Sequence, residues 1–242
     1  MAADSRPKKT KAAAPAASEA RPDFGRERAL LAAGARLVCG VDEVGRGPLA
    51  GPVVVAAVVL PETLAGSGVL DGINDSKLLS AAERERLCQL ILAEAAVSVV
   101  AAPPPVIRDR NILGATLWAM AQAVAALPVA PDHALIDGNM IPKGLPCPAT
   151  ALVGGDGLSL SIAAASIVAK VTRDRMCALM HEDEPHFGFL SHKGYSAPQH
   201  MAALDAFGPG RHHRMDFAPC RAAHEKRILA ETGALPAINP VA

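Results

Sequence analysis

Aromatic residues are scarce in this chain of 242 residues. Tryptophan, tyrosine and phenylalanine together make up 3% of the sequence, with a single tryptophan and a single tyrosine. Hydrophobic residues nevertheless account for 50% of it, so alanine, valine and leucine must fill the core. This composition argues against a chain that is disordered throughout, and the length suits one large domain or two small ones.

An excess of charge of one sign is also missing. The 24 lysines and arginines balance 24 aspartates and glutamates, giving a formal net charge of zero at pH 7. A strongly basic domain is the simplest compositional sign of a protein that binds nucleic acid. Its absence does not exclude such a protein, because the net charge is a sum over regions that can differ in sign.

Features of secreted, zinc-binding and membrane proteins are absent from the sequence. The five cysteines form no C-x-x-C pair and no ligand-spaced set with the histidines, and their odd number favours a reducing compartment. The first 22 residues lack the apolar segment of a secretory signal. The longest uncharged run, residues 111–131, is rich in alanine and is better explained as a buried helix than as a membrane span. We therefore expect a cytoplasmic protein without membrane contact.

The two ends of the chain differ in composition from the rest. Residues 1–30 are predicted to be a disordered tail, because the first 22 carry five basic and two acidic side chains among alanine, proline and serine. A solvated tail is the simplest interpretation, with weak phosphate contact or an organellar presequence as alternatives. Residues 31–233 are predicted to form one folded domain, and residues 234–242 a flexible C-terminal tail.

The hydrophobic pattern between these tails predicts an α/β domain with a mixed sheet and a helical C-terminal portion. A capping box at Ser80 and Glu83 marks the start of one helix. Apolar runs typical of strands cover residues 37–44, 52–60, 96–102, 133–136 and 149–153. Helices are predicted at about residues 80–94, 108–127, 158–180, 198–207 and 221–232.

Four acidic residues lie at or just past the ends of predicted strands: Asp42, Glu43, Asp137 and Asp156. Each alone is explained as a helix cap or turn residue. Together, at one edge of a sheet, they would form an all-oxygen site of the kind that Mg²⁺ or Mn²⁺ prefers. Neighbouring strand residues point to opposite faces, so Asp42 and Glu43 share a site only if the strand ends or twists there. Gly45 permits that change of direction.

A glycine-rich loop follows the first pair of acids, at residues 45–51. Its glycines allow backbone amides to approach a ligand and can form an anion-binding concavity. The spacing matches neither a P-loop nor a dinucleotide-binding fingerprint, and a predicted strand follows where those motifs require a helix. Alone, the loop is more simply a tight connection between strands.

Several segments in collinear order resemble the bacterial ribonuclease HII family. They are GVDEVGRGPLAGPVV at residues 40–54, NDSK at 74–77, LIDGN at 135–139, GD at 155–156, AASIVAKVTRD at 164–174, HKGY at 192–195 and HHR at 212–214. The resemblance implies a ribonuclease H-like mixed sheet flanked by helices. It also implies endonucleolytic cleavage of RNA in RNA–DNA hybrids and at single ribonucleotides embedded in duplex DNA, leaving 5′-phosphate and 3′-hydroxyl ends.

The resemblance also assigns roles to particular residues. It makes Asp42, Glu43, Asp137 and Asp156 the metal-binding carboxylates of a two-metal site for Mn²⁺ or Mg²⁺. Substrate contacts are expected from the Gly45, Arg46 and Gly47 loop at the ribonucleotide 2′-hydroxyl, from Tyr195 at the next deoxyribose, and from Ser76, Lys77 and Lys170 near phosphates. Arg173 and Arg175 are expected to contact phosphates or to lie on a helix surface, and the histidines are expected to be structural or exposed.

Some positions depart from the family pattern, and they put efficiency or substrate preference in doubt: Leu78, Gly157, Ala163, Phe187 and Asp216. The expected partners are RNA–DNA hybrids and ribonucleotide-containing DNA, bound by a monomer. A sliding-clamp partner is conceivable, but no aromatic clamp-binding peptide is evident. The alternatives are an enzyme of the same fold with another specificity, such as a DNA resolvase, and a non-catalytic binding module.

Overall fold

A computed structural model of the chain describes residues 21–232, apart from residues 66, 69–71, 74–75 and 77–78. Its strands are β1 (Val38–Val44), β2 (Val53–Val59), β3 (Ala96–Ala102), β4 (His133–Asp137) and β5 (Ala149–Leu152). They form a five-stranded sheet in the order β3-β2-β1-β4-β5. β1, β2 and β3 pair antiparallel, whereas β4 is parallel to both β1 and β5. The predicted α/β class with a mixed sheet is confirmed.

The helices are α1 (Gly25–Ala32), α2 (Ala81–Glu94), α3 (Pro104–Ala125), α4 (Leu160–Asp183), α5 (Phe189–His192), α6 (Pro198–Phe207) and α7 (Ala218–Thr232). The five predicted helices are present close to their expected positions, whereas α1 and α5 were not predicted. The capping box predicted at Ser80 and Glu83 is present at the start of α2. α3 begins earlier than predicted and is kinked at Asn111, where φ is 56° and the side chain accepts the Gly114 N–H. No helix in the described part of the chain is long and apolar enough to cross a membrane.

Both faces of the sheet are covered, which explains why its strands are almost wholly apolar. Along β2, Val54 and Val58 pack in the cluster formed with α2 and α4, whereas Val53 and Val55 pack in the cluster that includes α3. The side chains are mostly valine and alanine, as the shortage of aromatic residues requires. The helices therefore lie close to the sheet.

Gly40, in the middle of β1, shows how close that packing is. A Cβ at this position would lie 2.2 Å from the backbone carbon of Ser161, far inside the contact distance. The first turn of α4 therefore crosses β1 almost backbone to backbone. This contact places the start of α4, and the turn before it, against the strand that carries Asp42.

The predicted tail of residues 1–30 overlaps α1, so its boundary was placed too far along the chain. Within α1, Glu27 is fully buried, and its Oε1 accepts hydrogen bonds from the Ser159 hydroxyl at 2.6 Å and from the Ser161 N–H at 2.9 Å. An acid at this place accepts a hydrogen bond from an amide that has no partner within the helix. Its negative charge also interacts favourably with the positive N-terminal end of the α4 dipole. Residues 1–20 and the predicted C-terminal tail, residues 234–242, lie outside the described residues.

The C-terminal helices enclose a separate small core in which histidine and phenylalanine rings pack together. His200 and His213 are buried there against Phe187 and Phe189, and the Nε2 atoms of the two histidines are 2.9 Å apart. Burial, together with the adjacent His200, lowers the pKa of His213 from 6.5 to about 3. The neutral ring is thus the form that the folded protein accommodates.

We predict that acid destabilises this core through His213. Its pKa is lower in the folded protein than in the unfolded chain, so the stabilisation is complete above pH 6.5 and is lost as the pH falls towards 3. Each pH unit in that window costs about 1.4 kcal/mol per histidine. Urea unfolding at pH 7.5 and 5.0 should therefore show a loss of roughly 2 kcal/mol that is smaller in His213→Gln, which retains a side-chain N–H donor. An equal loss in both proteins would contradict the prediction.

Candidate active site

Three carboxylates converge where β1 and β4 end. Asp42 and Glu43 belong to β1, and Asp137 is the last residue of β4, the parallel neighbour of β1. One carboxylate oxygen from each of the three lies within 4.8 Å of those of the other two. The pairing of Val41 with Ile136 explains this meeting, because the next residues along the two strands are Asp42 and Asp137.

The structure resolves the geometric difficulty with Asp42 and Glu43. The Asp42 carboxylate accepts a hydrogen bond from the Glu43 N–H at 2.7 Å, so it bends towards the backbone of the next residue instead of projecting straight from the strand. The longer Glu43 side chain reaches the group from the next position, and its Oε1 contacts Arg46 Nη1 at 3.3 Å. Two adjacent strand residues can therefore supply one site.

Asp156 lies just past the end of β5, within the range that the sequence predicted. It is four residues beyond that strand, in the short 3₁₀ turn Gly155–Gly157, a turn that was not predicted. It is 9% exposed and lines the same cleft, although it does not belong to the group of three. The Gly155 N–H donates to Asp137 Oδ1 at 2.6 Å, which ties this turn to the other carboxylates.

The electrostatics of the group favour a bound cation. Burial raises the pKa of Asp42 well above its usual value, and the neighbouring Glu43 and Asp137 carboxylates raise it further. Burial also raises the pKa of Glu43, although Arg46 opposes the effect. A divalent ion would offset this desolvation and repulsion, and the all-oxygen donor set fits Mg²⁺ or Mn²⁺.

The carboxylates lie in an open cleft of about 580 Å³. Every residue predicted for the site that the structure describes lines this cleft, including Gly45, Arg46, Gly47, Lys170 and Tyr195. Lys77 lies outside the described residues. Three further lining residues were missed by the sequence analysis: Val44, Arg84 and Ser166.

Two of these polar neighbours organise the cleft wall around Ser76. Ser76 is buried, and its hydroxyl lies 3.0 Å from that of Ser166. Arg84 donates to the Ser76 carbonyl at 2.8 Å and to the Leu79 carbonyl. One turn further along α4 from Ser166, Lys170 forms an ion pair with Asp174 at 2.7 Å. The sequence offered no sign of the Ser166 and Arg84 contacts, because they depend on distant segments meeting.

Two fully buried arginines hold the glycine-rich loop from behind. Arg214 donates to the carbonyls of Gly45, Arg46 and Gly51 at 2.6–2.9 Å. Arg173 donates to those of Ala50 and Pro52 at 3.1–3.2 Å. The expected phosphate contact or exposed position of Arg173 is therefore wrong, because it is 0% exposed.

These arginines also explain one glycine of the loop. Gly45 has a φ of 94°, and a Cβ there would lie 2.1 Å from Arg173 Nε. Arg175, by contrast, pairs with Glu85 on the helix surface, which is the alternative expected for it. Arg214 lay within a motif quoted from the sequence, but nothing in the pattern indicated its burial.

Five positions depart from the family pattern, and the four of them that the structure describes lie away from the cleft. Ala163 and Phe187 are buried in the core, Asp216 is exposed, and Gly157 is half-buried at the turn after Asp156. None of these four lines the cleft. Leu78 lies outside the described residues.

Comparison with known proteins agrees with this arrangement. A family model described as ribonuclease HII matches residues 39–220. The ribonuclease HII of Rhodopseudomonas palustris (strain BisB18) is 52% identical over 219 residues, which cover 90% of this chain and 80% of that protein.

Two solved structures share the fold. The ribonuclease H2 of Pyrococcus horikoshii OT3 has a TM-score of 0.69 and 27% identity over 78% of this chain and 98% of that one. A chain of the PCNA:RNase HII complex of Archaeoglobus fulgidus has a TM-score of 0.63 and 27% identity, over 75% and 95% respectively. The sheet is therefore ribonuclease H-like, and the chain belongs to the ribonuclease HII family of ribonuclease H-type endonucleases.

Proposed function

We propose that this protein hydrolyses the RNA strand of RNA–DNA hybrids and cuts at single ribonucleotides embedded in duplex DNA. The observation that carries the proposal is the composition of one cleft. It places the carboxylate group of Asp42, Glu43 and Asp137 beside the Gly45–Gly47 loop and Tyr195. Acids for a phosphodiester reaction and groups suited to reading sugars thus face the same space.

Asp42, Glu43, Asp137 and Asp156 are the residues that would hold Mg²⁺ or Mn²⁺. When bound, two such ions activate a water molecule and stabilise the leaving oxygen of a phosphodiester, which gives a 5′-phosphate and a 3′-hydroxyl. The protein's own contribution is to keep the carboxylates together despite their repulsion. The Glu43 N–H and Gly155 N–H orient Asp42 and Asp137 for this role.

The glycine-rich loop is suited to recognising a ribose. Because Arg214 binds the carbonyls of Gly45 and Arg46 from the buried side, those oxygens point away from the cleft. The backbone amides and the Arg46 side chain are then the donors that a 2′-hydroxyl would meet. That hydroxyl distinguishes RNA from DNA, and a backbone contact to it reads the sugar without reading the base.

Tyr195 would identify the deoxyribonucleotide that follows. Its side chain is exposed in the cleft, and a Cβ added to Gly47 would lie 3.5 Å from Tyr195 Cε1, so the ring stands directly beside the loop. A flat ring can pack against a sugar that lacks the 2′-hydroxyl. Lys170 and Ser76 line the same cleft and are proposed to lie near phosphates, as is Lys77.

We also propose that the protein acts as a cytoplasmic monomer. We propose a sliding clamp as a partner on the basis of the archaeal relative whose structure was determined with PCNA. Size-exclusion chromatography with light scattering would measure the oligomeric state directly.

We predict that Asp137→Asn abolishes cleavage while leaving hybrid binding largely intact. Asparagine retains an oxygen to accept the Gly155 N–H, but it removes a metal-binding charge. Loss of even an outer partner of a metal ligand costs roughly 10–100-fold, so cleavage should fall by more than about a hundredfold. Gel assays of cleavage and fluorescence anisotropy of binding measure the two effects. Asp205→Asn, in an exposed acid that pairs with Lys226, is the control and should cleave normally. A full-rate Asp137→Asn enzyme would overturn the assignment.

We predict that Asp42→Asn stabilises the metal-free protein at neutral pH. The pKa of Asp42 lies above 3.8 in the fold, so its ionised form lowers stability increasingly as the pH rises above that value. The variant should melt roughly 2–4 °C higher at pH 7.5, equivalent to about 1 kcal/mol, with no difference near pH 4. Mn²⁺ should raise the melting temperature of the wild type more than that of the variant. A wild-type melting temperature that ignores Mn²⁺ would count against the metal site.

We predict that Tyr195→Ala weakens cleavage at a single embedded ribonucleotide more than cleavage of a long hybrid. Aromatic packing on a nucleotide is worth roughly 1–3 kcal/mol, so the selective loss should be about tenfold or more. Steady-state kcat/KM on the two labelled duplexes, with an all-DNA duplex as blank, measures it. Tyr195→Phe keeps the ring and should retain the preference. Equal losses on both substrates would refute the junction role.

A further inference from the structure

The backbone of Tyr195 is held by His200, and the contacts of this histidine show which ring nitrogen carries the proton. His200 Nδ1 lies 2.8 Å from the Tyr195 carbonyl oxygen. A carbonyl can only accept, so His200 carries its proton on Nδ1 and donates to Tyr195. In a neutral ring, His200 Nε2 is then an acceptor.

A second histidine completes the arrangement. His213 Nδ1 accepts the Gly210 N–H at 2.9 Å, so the proton of a neutral His213 lies on Nε2. That atom is 2.9 Å from His200 Nε2 and donates to it. The hydrogen bonds therefore run in one direction, from Gly210 through His213 and His200 to Tyr195. One pair of neutral tautomers satisfies all three.

The residue before Tyr195 is held in the same way. His192 Nδ1 accepts the Gly194 N–H at 3.2 Å, and its Nε2 donates to the Phe187 carbonyl at 2.8 Å. Its ring stacks on that of His200, with centroids 4.5 Å apart and planes 12° apart. The backbone beneath the exposed tyrosine ring is thus held by several hydrogen bonds, including one from the Tyr195 N–H to the His192 carbonyl at 2.9 Å.

This backbone is also tied to the glycine-rich loop. The Gly194 carbonyl accepts the Leu49 N–H at 2.8 Å. Arg173 Nη2 joins the Ala50 carbonyl, at 3.2 Å, to the Lys193 carbonyl, at 3.0 Å. A displacement of Tyr195 would therefore alter its distance from the loop residues proposed to meet the ribose.

We propose that His200 is a positioning residue for Tyr195, and that its Nδ1–H···O bond sets the preference for a ribonucleotide–deoxyribonucleotide junction. His200 is fully buried and does not line the cleft, so it acts on substrate only through Tyr195. The inference rests on the function proposed above, and in particular on the role of Tyr195.

Two substitutions at the same position test this. In His200→Asn the amide nitrogen takes the place of Nδ1 and can still donate to Tyr195, whereas in His200→Gln the amide reaches the place of Nε2 and meets His213 instead. Both remove the ring and its stacking on His192, so a purely structural role predicts similar effects. The readout is the ratio of kcat/KM for a single embedded ribonucleotide to that for a long hybrid.

We expect His200→Gln to lower this ratio about tenfold, the scale of one lost hydrogen bond, and His200→Asn to keep it within about twofold. Equal ratios for the two variants would overturn the inference. A wild-type protein that cuts neither substrate with Mg²⁺ or Mn²⁺ would instead refute the proposed function, so the two failures are distinguishable.

A second measurement needs no variant, so it tests the His200–Tyr195 hydrogen bond even if either substitution prevents folding. Nitrogen-15 NMR of the wild-type imidazoles should show His200 protonated at Nδ1 and His213 at Nε2 near pH 7.5. Finding His200 protonated at Nε2 would remove the bond to Tyr195 and contradict the inference.

Discussion

Mutual repulsion among buried and half-buried carboxylates is the constraint on which the rest of this structure depends. Asp42, Glu43 and Asp137 come together because β1 and β4 are parallel neighbours, and burial raises the pKa of Asp42 and Glu43. The apolar packing on both faces of the sheet must outweigh that cost. Without a bound metal, the protein is thus less stable than its apolar core alone would make it. A cation bound between the carboxylates would remove this loss of stability.

Two positively charged side chains lie buried on the other side of the glycine-rich loop. Arg173 and Arg214 are buried and bonded to backbone carbonyls rather than to carboxylates. Desolvation, together with the nearby Arg173, lowers the pKa of Arg214 to about 10, so its side chain remains charged at neutral pH. Their hydrogen bonds to these carbonyls hold the glycine-rich loop in place. The positive charge of the two arginines is thus buried against the loop, whereas the carboxylates line the cleft.

Much of the site could be predicted because its acids interrupt apolar strands, a pattern visible in sequence at Asp42 and Asp137. Asp156 was identified for the same reason. The 3₁₀ turn that contains it was not predicted, because such a short turn has no hydrophobic periodicity. Arg173 was misjudged because α4 is rich in alanine on all sides and shows no distinct polar face. Its hydrogen-bond acceptors are backbone carbonyls more than 120 residues earlier in the chain, and these allow the side chain to be buried.

The contact between α1 and α4 has a consequence for the extent of the folding unit. The family match begins at residue 39, yet Glu27 supplies the acceptor for the first turn of α4, and the Asp23 carbonyl accepts the Leu160 N–H. A chain trimmed to the matched segment would expose the end of the helix that crosses β1 under the acidic cluster. The packed domain therefore includes residues that precede the stretch by which the family is recognised.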